Sequence, residues 1–218
     1  MTGEAPEFVG NSVARNSARP LLIVDADEVL LLFVAGLERL LLREGFELRL
    51  ESFRLTGNIR RRDTGGVLEQ AEVGALIARF FAEEMGTLDP APGAAEALQE
   101  LATGADVVVL TNTPDASLPA RAACLARHGM AYPVLGNAGP KGPAVARLMA
   151  RRTAPAIFLD DLPPNHESVA EAAPNVLRIQ MVADPRLAAL APPTPYAHHR
   201  VDDWERASTL IRSHCRLA

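Results

Sequence analysis

Apolar residues fall into two patterns along this chain. In the first they run almost without interruption: Leu21-Leu22-Ile23-Val24, Val107-Val108-Val109-Leu110 and Ala156-Ile157-Phe158-Leu159, with shorter or broken runs near Pro133–Leu135 and over Val176–Met181. Such runs suit strands buried on both faces, as in a parallel sheet covered by helices. In the second pattern apolar positions recur every three to four residues. Phe33 to Arg43 places Leu37, Leu40 and Leu41 on one face, and roughly Val67 to Glu84 carries Val73, Leu76, Ile77, Phe80 and Phe81. Further helices are predicted over 94–102, within 118–128, from Pro143 to about 152 and over 167–173. Five strands alternating with helices predict an α/β fold built on a doubly wound parallel sheet.

One stretch breaks the alternation. Directly after the first strand, residues 34–87 offer helices but no convincing core strand; Phe46 to Leu55 fits strand alternation and helical spacing alike. A polar, basic, Gly-containing loop follows from Thr56 to Gly66. The predicted organisation is a core of 20–33 and 88–218, with a small, mainly helical cap inserted at 34–87. Both connections to the insert leave from the C-terminal edge of the sheet, so the cap is expected over the crevice. Residues 1–19 are polar and lack an apolar core of signal-peptide length, and they are expected to form a flexible leader.

Composition narrows the partners more than the fold. The 218 residues are 48% hydrophobic and 22% charged, enough for one sizeable core with a small insertion. A formal net charge of −5 argues against a nucleic-acid polymer or an acidic membrane as partner, because binders of either usually carry a basic face. The longest apolar stretch, Val29 to Leu37, is too short to span a membrane. Cys124 and Cys215 supply neither a disulfide framework nor metal-ligand spacing, so a reducing, cytoplasmic location is the default expectation.

Three of the apolar runs end in residues that can do chemistry: Asp25-Ala26-Asp27, Thr111-Asn112 and Asp160-Asp161. Ligands of open α/β sheets bind beyond the carboxyl ends of the strands, so these endings describe one site. An isolated Asp at a strand end is ordinarily a turn or cap residue; here the combination carries the signal. A carboxylate attacking a phosphate dianion needs a cation to offset the repulsion. Mg²⁺ prefers hard oxygen ligands, which Asp25, Asp160 and Asp161 can supply. Lys141 adds a fixed positive charge, unless it is a solvated loop lysine, and the Thr111 hydroxyl with nearby backbone N–H groups suits phosphate oxygens. Asp27, two residues beyond Asp25, can protonate a leaving oxygen and then deprotonate water.

The order Asp-x-Asp, apolar-Thr-Asn, Lys141, Asp-Asp resembles the haloacid dehalogenase-like (HAD) hydrolase superfamily, over the chain from about Leu21 to Met181. The resemblance implies a Rossmann-like core and an aspartyl-phosphate formed on Asp25, with Asp27 as general acid and then general base. It implies phosphoryl binding by Thr111, Asn112 and Lys141. Asp160 and Asp161 would help hold Mg²⁺, with Asp25 and Asp27 the other candidate ligands. The activity implied is a Mg²⁺-dependent phosphatase acting on a small phosphorylated metabolite. Related proteins often carry an acid or amide where this chain has Asn165, which either orients a metal ligand or caps the next helix. Family phosphatases commonly have Gly-Thr after the second Asp. The Glu28-Val29 found here is similar to the deoxyribonucleotidase branch, and Glu28 lacks glycine's backbone freedom. Family dehalogenases use no acid at the position of Asp27, since halide leaves unprotonated, so phosphoryl chemistry is favoured.

A phosphomutase-type phosphotransferase shares every motif, and a non-catalytic HAD-fold binding protein would keep the fold without the turnover. A receiver-type signalling domain uses the same residue types in a different order. Outside the motifs, Arg60-Arg61-Arg62 is either a solvated loop or a contact for an anionic or planar part of the substrate. His198-His199 is expected to be an exposed loop pair, because adjacent side chains diverge and no third ligand is spaced nearby.

Overall fold

A computed structural model describes residues 8–9 and 17–217. In chain order its elements are β1 (Phe8–Val9), β2 (Leu21–Val24), α1 (Phe33–Arg43), β3 (Phe46–Leu48), β4 (Ile59–Arg61), α2 (Gln70–Glu83), α3 (Ala94–Leu101), β5 (Asp106–Thr111) and α4 (Leu118–Arg127). Then come β6 (Val134–Gly136), α5 (Gly142–Met149), β7 (Ala156–Asp160), α6 (Pro163–Ala172), β8 (Leu177–Met181), α7 (Pro185–Ala188), β9 (His199–Val201) and α8 (Trp204–Cys215). The main sheet has the order β1-β6-β5-β2-β7-β8-β9, parallel throughout except for β1 at the edge.

β2 lies at the centre, and its unbroken apolar run follows from burial on both faces. Leu22 and Val24 pack on one side of the sheet with Val109 and Leu159. Leu21 and Ile23 pack on the other with Val108 and Phe158. A polar residue at any of these positions would be buried without a partner, so alternation is absent. Register then places the chemistry. Val24 is level with Val109 of β5 and Leu159 of β7, so Asp25, Leu110 and Asp160 follow at one height. The chain builds outward through β5 and β6 on one side of β2, then crosses to β7, β8 and β9 on the other. The three polar strand endings meet at that switch point.

β9 is a sixth parallel strand beyond the five predicted. Only Val201 of its three residues is buried, too little apolar signal to read from the sequence. α8 is fixed by Trp204, whose buried indole Nε1 donates to the Val29 carbonyl at 2.9 Å and ties the end of the chain to the turn after β2.

Between β2 and α3 the chain forms α1 and α2, where helical spacing was predicted, and also an antiparallel hairpin separate from the main sheet, with Phe46 opposite Arg61 and Leu48 opposite Ile59. The alternating reading of Phe46 and Leu48 therefore prevails over the helical one. Phe33, Phe80 and Phe81 pack in edge and tilted contacts with centroids 4.8 to 6.3 Å apart, joining the two helices. Most of the expected leader lies outside the described residues; within it, Phe8–Val9 pairs with Val134–Leu135 as an edge strand. No helix of the described residues is long and apolar enough to cross a membrane.

Candidate active site

The centre of the site is a buried set of carboxylates. One oxygen from each of Asp25, Asp160 and Asp161 lies within 4.8 Å of the others. Lys141 enters from the N-cap position of α5 and places Nζ 2.7 Å from Asp25 Oδ1 and 2.7 Å from Asp160 Oδ2. It is wholly buried, which removes the solvated-loop reading. Asp160 Oδ1 accepts from the Leu162 amide at 2.9 Å and from Asn165 Nδ2 at 2.9 Å. Asn165 lies inside α6, whose N-cap is Leu162, so it orients Asp160 and does not cap the helix. Asp161 engages its backbone carbonyl, which accepts from Gln180 Nε2 at 3.3 Å, while its carboxylate faces Asp160 and Asp25.

Three carboxylates against one ammonium leave excess negative charge where water is scarce. Burial pushes the Asp25 carboxyl up to about 7; Lys141 opposes the rise, and Asp160 and Asp27 add to it. Asp161 is held well above the ordinary carboxyl range by burial, then by Asp160 and Asp25. Burial pulls the Lys141 ammonium down, but Asp160 and Asp25 outweigh it and the net shift is upward. Hard oxygen donors in excess of positive charge fit a divalent cation of the Mg²⁺ type.

Asp27 stands apart from this cluster. Its Oδ1 accepts from Arg121 Nη2 at 2.5 Å, and Arg121 is wholly buried. Arg121 Nε donates to Thr113 Oγ1 at 3.2 Å, and Thr113 Oγ1 lies 3.0 Å from Thr111 Oγ1. A continuous polar chain thus links the turn after β2 to the end of β5. The side chain of Asp27 is therefore a partner of Arg121, and the carboxylate cluster among the described residues consists of Asp25, Asp160 and Asp161. Arg121 was not singled out in the sequence. Its signal was a charged residue on the apolar face of α4, three residues from Leu118 and Cys124 and four from Leu125, all buried.

Glu28, at the position where the family phosphatases it resembles commonly carry glycine, adopts a left-handed backbone, with φ +57°. Its side chain stabilises the turn from both ends: Oε1 accepts from the Val34 amide in the first turn of α1 at 2.7 Å, and Oε2 from the Asp184 amide at 3.1 Å. Burial outweighs these two donors and pushes the carboxyl up to about 7.

A cavity of about 250 Å³ opens above Asp25, Asp27, Lys141 and Asp161. Asn112 lines it, with Nδ2 donating to the Gly139 carbonyl at 3.1 Å and Oδ1 accepting from Asn137 at 2.8 Å. Thr111 is buried at the end of β5 against Thr113. The three arginines do not line this cavity. Arg60 faces Glu51 at 3.7 Å, Arg61 pairs with Glu72 and lies 5.7 Å over the Phe46 ring, and Arg62 is exposed. His198 and His199 are both exposed, as expected, but His199 begins β9 rather than lying in a loop, and His198 Nδ1 accepts from the Arg178 amide of β8 at 3.0 Å.

The placement of Lys141 depends on close packing at its neighbour. A Cβ added to Gly142 would fall 2.1 Å from the Ser168 carbonyl oxygen of α6, a backbone atom that cannot move alone. Gly142→Ala is expected to destabilise the fold by about 1–3 kcal/mol, the usual cost of overpacking, measured as a lower urea midpoint at unchanged slope.

No protein-family model and no curated protein matches this sequence. Solved structures do match. A HAD-hydrolase from Bacillus subtilis bound to magnesium superposes with a TM-score of 0.61 at 15% identity, covering 89% of this chain and 99% of its own. A HAD family hydrolase from Deinococcus radiodurans R1 with bound phosphate and sodium gives 0.59 at 16% identity, covering 90% and 96%. A dehalogenase gives 0.55 at 15% identity, covering 88% and 97%. Through the parallel sheet order, the shared length and the site at the switch point, the chain has the haloacid dehalogenase-like fold.

Proposed function

We propose that the protein is a Mg²⁺-dependent phosphatase of small phosphorylated metabolites, working through an aspartyl-phosphate on Asp25. The observation that carries this reading is the division of labour between two carboxylates two residues apart. Asp25 is held by Lys141 beside Asp160 and Asp161, and Asp27 is held separately by Arg121.

Asp25 attacks phosphorus, a phosphorus–oxygen bond forms, and the ester oxygen departs with the bonding pair. Asp27 gives that oxygen its proton. Water then attacks phosphorus, Asp27 takes the water's proton, and Asp25 leaves as carboxylate while inorganic phosphate is freed. Lys141 supplies a pre-positioned positive charge toward the phosphoryl oxygens. Mg²⁺ held by Asp25 and Asp161, with Asp160 behind them bound to Lys141 and Asn165, would neutralise charge on nucleophile and phosphate together. The inserted segment acts as a cap through Phe53, Leu55 and Phe81, which line the cavity above the carboxylates together with Phe33. Dehalogenases share the fold, but halide departure gives Asp27 no task.

Two proteins of this fold were crystallised with phosphate or magnesium, which supports the reading. The test is release of inorganic phosphate from a set of phosphomonoesters with and without Mg²⁺; absence of release from every ester overturns it. A linked expectation concerns pH. Burial raises the Asp25 carboxyl to about 7 and raises that of Asp161 as well, so protons compete with metal on the acid side. Mg²⁺ affinity should therefore rise from pH 6 to pH 8, by up to roughly tenfold per unit for each proton displaced. The rise in melting temperature caused by a fixed Mg²⁺ concentration should be larger at pH 8 than at pH 6.

A further inference from the structure

The cavity has two chemically distinct ends. Its floor carries Asp25, Lys141 and Asp161, and its wall is made by Phe33, Phe53, Leu55, Phe81, Leu162 and Leu187. Among the described residues Lys141 is the sole cation lining it, and its ammonium is already shared between Asp25 and Asp160 at 2.7 Å each. A second anionic group on the substrate would therefore meet no counter-charge. At the rim, Asn112 bonds to Gly139 and Asn137, and Asn165 Nδ2 to Asp160. Polyol hydroxyls buried against the wall of Phe33, Phe53, Leu55, Phe81, Leu162 and Leu187 would lose water without gaining partners there, which costs free energy.

The wall is also supported from behind. Phe53 and Leu55 sit on the loop between β3 and β4, and the buried Asn58 clamps that loop. Asn58 Nδ2 donates to the carbonyls of Ser52 and Arg54 at 2.7 Å each, and its Oδ1 accepts from the Glu51 amide at 3.2 Å. Phe33 and Phe81 are held in ring contact at 5.7 Å. An apolar surface fixed in this way is pre-organised for an apolar ligand.

Resting on the phosphatase reading above, we propose that the substrate is the phosphate monoester of a compact apolar alcohol, preferably aromatic, with no second charged group and few hydroxyls. The size allows it: about 250 Å³ is larger than the roughly 150 Å³ of an apolar cavity that admits benzene.

The test compares benzyl phosphate with glycerol 3-phosphate and glucose 6-phosphate, all esters of primary alcohols, so differences in leaving-group reactivity are small. With Mg²⁺ present, kcat/KM for benzyl phosphate is expected to be roughly tenfold to a hundredfold higher, as burial of one ring allows. The double substitution Phe53→Ser/Leu55→Ser should shrink that ratio, chiefly through KM for the benzyl ester. Equal or reversed preference, with phosphate released from all three, overturns the apolar-substrate proposal and leaves the phosphatase reading standing. If no ester is turned over, the phosphatase reading fails, and calorimetry on the full chain with Mg²⁺ decides the pocket alone. Tighter binding of benzylphosphonate than of 2,3-dihydroxypropylphosphonate supports it, and equal binding overturns it.

Discussion

Asp25→Asn is expected to lower phosphate release by at least about a thousandfold while leaving the fold intact, because the amide keeps the shape of the side chain and loses the nucleophilic oxygen. Stability should move the other way. Burial raises the Asp25 carboxyl to about 7, so above that pH the folded protein carries a charge that the unfolded chain holds more cheaply. That penalty is absent at low pH and fully present on the alkaline side of the folded value. A neutral amide removes it. In Mg²⁺-free buffer at pH 8 the variant should melt at or above the temperature of the natural chain, and added Mg²⁺ should stabilise it less. Activity above a tenth of the natural rate, with unchanged unfolding, would remove Asp25 as the covalent residue.

Lys141→Met should damage both stability and turnover. The substitution keeps most of the aliphatic volume and deletes the ammonium that lies 2.7 Å from both Asp25 and Asp160. Breaking a buried ion pair from one side costs about 3–5 kcal/mol, since the remaining charge has neither water nor partner. Three neighbouring carboxylates make this a severe instance. The sign of its pH dependence follows: without the lysine the carboxyls take up protons more readily, so the loss of stability should be larger at pH 8 than at pH 5. Mg²⁺ at saturating concentration should recover part of it. In turnover, removal of a fixed donor aimed at developing charge is worth about 3 kcal/mol, a hundredfold or more. A stability loss that is the same at both pH values would mean that Lys141 acts through packing and not through charge.

The three central strands and their polar endings were legible because they obey a local rule. A strand buried on both faces must be apolar along its whole length, so Asp25, Thr111 and Asp160 marked the places where burial of the strand stops. Helix α1 was equally legible from Leu37, Leu40 and Leu41. By contrast β9 offers one buried apolar residue, and no pattern distinguishes it from loop until β8 lies beside it.

Which side chains meet is a different kind of information. By itself the sequence determined that Asp25, Thr111 and Asp160 end three strands of a parallel sheet at one edge, while the place of Lys141 beside them was implied only by the family resemblance. Only the tertiary structure decided that Arg121, 94 residues from Asp27, pairs with it, and that Asn165 turns to Asp160. It likewise decided that Glu28 takes a left-handed turn and anchors α1 and the Asp184 loop, and that Arg60 and Arg61 turn to acids of their own segment. The reason is physical. Apolar periodicity reports the average environment of a position, whereas a buried charge is satisfied by one particular partner within about 3 Å, and that partner is chosen by packing of elements distant in the chain.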